Sequence, residues 1–556
     1  MTIPGKYVGE DGEYTVLLSA SDGESGEKTV IYRKGDHGPV YTLSAEKWCK
    51  KFRCAEDIAL AHHLRHSSRT EFLRRFTSLF SGRTDVCSVH WRTVFAYEGY
   101  NYFCENHNLA RGCMFGTDNC KNCRSRKLVP YSETIAELHL SKDKTIGVYP
   151  IIPGDGCRFS AIENLSGTEL SALRRVCRSL DIPSYGESFM GSYRLWFFFS
   201  EAIAAKDARM LTEAVITRAI DENADISFEL YEKMIPIRGA LAKGSFGKPV
   251  ILPLGKFRRS ESVFVDDALE PLPEGAAAIF GFRTITRSYL ADRLAALGAA
   301  DFGPSLQLMT ELPPEAGVTL AGGIAIQKSR VEPKTLAALK RQACLKLPEK
   351  PLEEFIEPTP TISVCFREDR EYLYLPRGMW AGLKTTASAV DKRIGPENCC
   401  FSFAEELTGE EYSAAKALLE RSEGIIIGPP RSGKTEITAY IISALRSRTL
   451  LLTADEVTRR RWVDNVLRYL GTDAEKPESR IDVRLITDEN IKDKYGLIIL
   501  ADCSRVPMNH EIFSRLSALS PLAFYGITAD NQRYDGLWDY IRLLCGDIVY
   551  RLNRQN

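Results

Sequence analysis

Residues 428–435 read Gly-Pro-Pro-Arg-Ser-Gly-Lys-Thr and follow the apolar run Gly424 to Ile427. They satisfy the phosphate-cradling pattern G-x-x-x-x-G-K-[ST], in which each residue type has a physical task. Gly428 and Gly433 let the backbone curl so that the N–H groups around Arg431 and Ser432 point at phosphate oxygens. Lys434 reaches the outer phosphates, and the Thr435 hydroxyl is placed to ligate Mg²⁺. The following segment, Glu436 to Leu445, is helix-like, so the loop opens onto a helix N-terminus that favours an anion. Strand, loop and helix in this order predict an ATP site with Mg²⁺.

Outward from the loop, short apolar runs alternate with helical patterns at Thr449 to Thr453, Leu497 to Leu500 and Leu522 to Ile527. That alternation predicts a parallel α/β sheet of the RecA type over 401–556. Upstream, Pro348, Pro351, Pro358 and Pro360 stand among glutamates, a linker composition that makes 291–400 a connecting region. From 81 to 290, strands such as Ile146 to Ile152, Leu195 to Phe199 and Val250 to Leu254 alternate with helices such as Gly167 to Ser179 and Lys206 to Asn223, which predicts an α+β domain. Residues 53–80 have helical spacing of apolar positions and read as a connector. The first 52 residues carry strand-length runs at Tyr14, Thr29 and Val40 separated by polar turns, which suggests a small SH3-like β unit.

A chain of 556 residues is too long for one core, so several domains are expected. Lys plus Arg and Asp plus Glu both number 73, so any basic surface must be local. Fifteen cysteines are scattered rather than set in a small secreted framework, and the N-terminus lacks a basic region followed by an apolar one, which points to a reducing cytoplasm. No run approaches the roughly 20 apolar residues that span a bilayer, so no membrane partner is expected.

Cys104, Cys113, Cys120 and Cys123 form C-x8-C-x6-C-x2-C. Four thiolates complete a closed tetrahedral zinc shell, and the tight Cys120/Cys123 pair is typical of one half of such a site; His107 is an alternative ligand for one thiolate. The expected role is structural, because a closed shell has no open position for chemistry. Lys121, Arg124, Arg126 and Lys127 flank the cluster as candidate phosphate contacts, although a charge run is more often a solvated face.

Several segments, in order, resemble the fused primase–helicases of TOTE conflict systems, whose N-terminal half belongs to the archaeo-eukaryotic primases. They are Ser81-Gly-Arg-Thr-Asp-Val with Trp91, the four-cysteine knuckle, Ile146-Gly-Val-Tyr-Pro, Trp196-Phe-Phe-Phe-Ser with Ala208-Arg209, Gly244-Ser-Phe-Gly, Leu252-Pro-Leu, Val263-Phe-Val-Asp266, Leu375-Pro-Arg-Gly378 and the phosphate loop. The resemblance implies a zinc-knuckle-bearing primase-like domain followed by a helicase lobe, with DNA or RNA as partner. It also implies a two-metal centre held by acids, and here the departures matter. The family pattern Ile-Asp-Phe-Asp aligns with Ile162-Glu163-Asn164-Leu165, its Tyr-Asp-Arg with Tyr231-Glu232-Lys233, and its histidine with Arg194. Two lengthened acids remain of three, and Arg194 suits a phosphate rather than a metal.

In the helicase half, the family Val-Asp-Glu-Cys-His-His aligns with Leu500-Ala501-Asp502-Cys503-Ser504-Arg505. The metal-holding acid is thus Ala501, and Asp502 stands for the acid that orients water, or by a one-residue shift for the metal ligand. Thr528-Ala529-Asp530-Asn531 replaces Thr-Ala-Thr-Pro. The residues after Gly536 are too few for a second lobe, so unwinding by this chain alone is not expected. The favoured expectation is a catalytically degenerate recognition or scaffold subunit in a mobile-element or phage-defence setting that binds ATP. The alternatives are an active primase–polymerase, an ATPase completed by a co-encoded partner chain, and a pure protein–protein adaptor.

Overall fold

The computed structural model describes residues 5–9, 12–21, 28–35, 38–44, 48, 53–54, 68–92, 98–108, 123, 126–223, 225–257, 260–298, 302, 310–352, 360–385, 389–395, 399, 401–472 and 480–553. Two compact units divide the chain. One is built from 1–209 and 239–293, the other from 210–238, 294–352 and 356–556. Among the described residues no helix is long and apolar enough to cross a membrane.

The first unit opens with an antiparallel meander of Gly5–Gly9, Gly12–Ser21, Lys28–Lys34 and Val40–Ser44, to whose first strand Arg53–Cys54 adds. Alternation puts Tyr14, Val16 and Val30 on one face, where they bury with Trp48, as period-2 patterning requires. Of the predicted connector, Arg69–Leu79 is helical and is closed at its start by a Ser68/Glu71 capping box. Among the described residues the α+β region holds two sheets of four or more strands. Gly156–Leu165, Ser192–Ala204, Tyr185–Phe189 and Val263–Val265 run antiparallel in that order, and Val250–Ile251, Ile146–Val148, Cys87–Arg92 and Glu98–Tyr102 form the other. Helix Gly167–Ser179 has its own capping box of Ser166 and Glu169, the reciprocal pairing that satisfies otherwise orphaned N–H groups.

In the second unit six parallel strands lie in the order Ile481–Leu485, Thr449–Thr453, Leu497–Ala501, Ala523–Thr528, Glu423–Ile427 and Ile548–Arg551. Their near-continuous apolar runs reflect burial on both faces. Leu451, Ile499 and Ile426 point into a core beneath helices Gly409–Leu419, Lys434–Leu445 and Glu456–Tyr469. Leu450, Leu452, Ile498 and Ile425 point to the other side.

That other side is covered partly by the stretch read as a connecting region. Residues 310–393 contain a sheet ordered Arg367–Glu368, Tyr372–Leu375, Ile324–Gln327, Val318–Leu320 and Ala389–Asp391. Its Val318, Ile324, Ile326, Leu373 and Leu375 share one core with the parallel sheet. Strands of two to four residues leave little periodicity to read. Their stability comes from the facing sheet.

The junction is fixed by Leu375-Pro-Arg-Gly378. Arg377 donates from Nε and Nη2 to Glu423 Oε1 at 3.1 and 2.8 Å, and from Nη1 to the Pro521 carbonyl at 3.0 Å. Both side chains are buried, at 4% and 8% exposure. Gly378 lies so close to the helix Trp538–Cys545 that a Cβ would fall 2.1 Å from the Arg542 carbonyl. Removing one partner of such a pair strands a buried charge. Arg377→Met or Glu423→Gln should therefore lower stability by about 3–5 kcal/mol, and the double variant should recover much of the loss, as read by urea midpoints.

Candidate functional site

The strand Glu423–Ile427 runs directly into the phosphate loop, and the helix Lys434–Leu445 begins at its end. Arg431 and Gly433 adopt φ of +64° and +77°, the left-handed turns that aim successive N–H groups into one concavity. A side chain on Gly433 would place its Cβ 2.0 Å from Glu411 Oε1, and one on Gly428 would meet Ser432 Oγ at 2.4 Å. Glu411 is buried at the start of helix Gly409–Leu419, where its other oxygen accepts from the Thr408 N–H at 2.7 Å. Lys434 Nζ donates to the carbonyls of Gly428 and Pro429 at 2.6 and 2.5 Å and to Ser432 Oγ at 3.4 Å. Burial lowers the pKa of its ammonium, with Asp502 opposing and Arg461 reinforcing the shift.

Asp502 follows the strand Leu497–Ala501 in a left-handed turn, φ +52°. Arg461, from the helix Glu456–Tyr469, donates to its Oδ2 at 2.9 Å. Ala501 is fully buried. Thr528 and Ser504 tie the neighbouring strand ends together by a 2.7 Å hydroxyl bond, and Arg533 Nη1 holds the Val506 carbonyl at 2.9 Å. The predicted loop residues and Asp502 thus lie at the carboxyl ends of parallel strands, where α/β sheets place ligands. Arg461 and Glu411 were not anticipated, because neither belongs to a local pattern.

In the first unit, Glu163 is half-buried and Leu165 is only 1% exposed. Arg194 is buried too. Its guanidinium lies 3.4 Å from the centre of the Phe189 ring, donates from Nη1 to the Ile251 carbonyl at 2.9 Å, and stands 3.6 Å from Glu187 Oε2. Glu187, which sequence reasoning missed, is fully buried. It accepts from Trp196 Nε1 at 2.6 Å and from the Ser262 hydroxyl. Burial raises its pKa, Arg194 opposes this, and Glu163 adds to it.

Glu232 belongs to the second unit. Its Oε1 accepts from Thr361 N at 2.8 Å, Thr361 Oγ1 at 3.0 Å and Ile362 N at 2.8 Å. An oxygen holding three donors has little lone-pair capacity left for a cation. One oxygen of Glu232, an acid that the resemblance assigns to a metal centre, is therefore engaged with protein groups.

Of the zinc candidates, Cys113 and Cys120 lie outside the described residues, as does Arg124. Cys123 is exposed, and Cys104 Sγ accepts from the Lys127 N–H at 3.2 Å. The Arg126 guanidinium stands 5.8 Å over the Tyr102 ring, and both Arg126 and Lys127 are exposed. Among the described residues no group of three or more His, Cys, Asp or Glu could hold a metal ion.

Residues 71–292 match the family model described as TOTE conflict system, Archaeo-Eukaryotic Primase domain. The DNA 3'-5' translocase XPB2 of Sulfurisphaera tokodaii is 31% identical over 160 residues, 26% of this chain and 36% of that protein. The chain thus spans about a third of that curated relative's length. Among solved structures, the UvsW helicase from bacteriophage T4 aligns at 12% identity with a TM-score of 0.31, over 42% of this chain and 99% of that one. The SWI2/SNF2 ATPase core of Sulfolobus solfataricus in complex with dsDNA aligns at 13% with a TM-score of 0.22, over 28% and 38%.

Two outcomes follow from the geometry. Glu232→Ala, by orphaning three donors, should destabilise the protein by roughly 1–3 kcal/mol in denaturant titrations. His139 is buried with Nδ1 accepting from Ile146 N at 3.1 Å and Nε2 facing the Pro253 carbonyl at 3.1 Å, and burial pushes its pKa down to about 4. Its neutral form contributes stability that is complete above the ordinary pKa of about 6.5 and is lost as pH falls toward the native value, a window worth about 3 kcal/mol. His139→Gln should flatten that part of a stability–pH curve.

Proposed function

We propose, from the membership of residues 71–292 in the archaeo-eukaryotic primase domain family of TOTE conflict systems, that this chain is a nucleic-acid-associated recognition or scaffold subunit. In this reading its primase-type centre no longer joins nucleotides, and its phosphate loop binds ATP. The setting is a conflict system directed at mobile elements or phage.

The observation that carries the reading is the contrast between the two centres. Around Gly428–Thr435 the backbone turns that a triphosphate requires are intact. Of the acids that the resemblance assigns to the other centre, Glu163 and Glu232 are each one carbon longer than the family's aspartates, Leu165 is not an acid at all, and one oxygen of Glu232 is taken by Thr361 and Ile362. A two-metal site needs carboxylate oxygens converging on both attacking and leaving groups, and this donor set does not fit one.

The residues of the loop do fit ATP with Mg²⁺. Backbone N–H groups from Arg431 to Lys434 would receive the phosphates, Lys434 would turn from its carbonyl partners toward them, and Thr435 would hold the metal. Bound ATP supplies a charged, cleavable triphosphate. What this chain adds is orientation, with Asp502 held by Arg461 beside the loop. The exposed Arg126 and Lys127, with Arg124, serve as contacts to nucleic-acid phosphates, and Cys104, Cys113, Cys120 and Cys123 together hold a structural zinc.

A fluorescent ATP analogue should bind saturably, and Lys434→Ala should weaken it at least tenfold; undiminished binding would remove the nucleotide half of the proposal. Affinity for single- or double-stranded DNA or RNA should fall linearly in log K against log salt, in proportion to the phosphates contacted. A flat slope, or no binding to any of them, would favour a protein-only adaptor.

A further inference from the structure

The cluster around Arg194 has a composition unlike that of a metal centre. Arg194 and Glu187 are direct cross-strand partners between Ser192–Ala204 and Tyr185–Phe189. On the other side of Ser192–Ala204, Leu195 faces Ile162 and Tyr193 faces Leu165, with a register slip between them. Glu163 and Asn164 are therefore set opposite Arg194. Asn164 takes up the slip in a left-handed conformation, φ +55°. Arg194 thereby stands on a strand flanked by two carboxylate-bearing strands.

The arrangement is built rather than incidental. Arg194 is 2% exposed and Glu187 fully buried. The guanidinium plane lies on Phe189, a contact that strengthens when both groups are dry, and Nη1 is anchored by the Ile251 carbonyl. Both Glu187 oxygens already accept hydrogen bonds, from Trp196 and Ser262. A hard divalent ion requires about six oxygens in close, regular geometry. Here Leu165 offers none, and the oxygens of Glu187 are taken.

We infer that Arg194 is the resident cation of this domain: it neutralises the Glu187 and Glu163 carboxylates in the role that the primase resemblance gives to divalent metal, so that the domain is complete without one. The inference rests on reading residues 71–292 as a primase-type domain and adds what has replaced its metals. An arginine is suited to the exchange, because it is always charged, tolerates partial dehydration and fixes direction through a planar fork. It cannot release the nucleotide-activating chemistry of a metal. The exchange leaves a folded, charge-balanced surface without a Lewis acid.

The test uses the full-length protein, with manganese as the probe. Mn²⁺ titrated into the wild type and followed by electron paramagnetic resonance should show no tight site that Glu163→Gln abolishes, and Mn²⁺ should leave the melting temperature unchanged. Arg194→Met leaves the buried Glu187 without its cation; it should lower the melting temperature by roughly 10 °C, and Mn²⁺ should not restore it, because both Glu187 oxygens remain taken by Trp196 and Ser262. Should that variant fail to fold, Arg194→Met with Glu187→Gln removes both charges and should regain most of the loss while being indifferent to Mn²⁺. A stoichiometric wild-type Mn²⁺ site lost in Glu163→Gln would overturn the inference, as would a double variant no more stable than Arg194→Met. Failure of the underlying reading would look different, namely no nucleic-acid binding by the wild type whatever the manganese result.

Discussion

The buried pair of Arg377 and Glu423 is the constraint on which the second unit depends. Glu423 opens the strand that delivers the phosphate loop, and Arg377 opens the turn that leaves the smaller sheet of residues 310–393. Their contact, extended by the Pro521 carbonyl, fixes where two sheets meet and hence the face on which Ile425, Leu450 and Ile498 can bury. Two apolar residues could cover the same area, but a guanidinium fork accepts only one orientation of its carboxylate. The loop at the far end of the strand inherits that alignment.

Much of this was legible in the chain. The phosphate loop announces itself by its glycines and lysine, and the parallel sheet because runs such as Leu450-Leu-Leu452 and Leu497-Ile-Ile-Leu500 have no polar face to offer water. The helix Gly167–Ser179 emerges with the predicted bounds because its cap residues and apolar spacing agree. What was not legible is equally specific. Glu187 sits in Tyr-Gly-Glu-Ser-Phe, an ordinary alternating strand, and nothing nearby signals burial. Only the register with Arg194, set by a hairpin, reveals it. Residues 310–393 looked like a connection because their strands are too short to show a period, and their order comes from a sheet that follows later in the chain. The cysteine cluster was legible as spacing, but Cys113 and Cys120 lie outside the described residues.

The two candidate centres follow one logic. In each, a cation that could serve a ligand is matched to groups of the protein itself: Lys434 to the Gly428 and Pro429 carbonyls, Arg194 to Glu187 and the Ile251 carbonyl. The difference lies in mobility. A lysine ammonium on four rotatable bonds exchanges partners at little cost, whereas a stacked, buried guanidinium does not. One centre is therefore adaptable and the other fixed.

The fixed turn at Asn164 has a consequence for the strand that carries it. Between the Leu195/Ile162 and Tyr193/Leu165 pairs two residues of one strand face one of the other, and Asn164 takes up the difference in a left-handed conformation. Deleting the extra residue would shift the register by one, and a one-residue shift turns every side chain beyond it to the opposite face. Leu165, sealed in the core, would be turned outward. The bulge and the burial of Leu165 are therefore a single feature, and neither can change without the other.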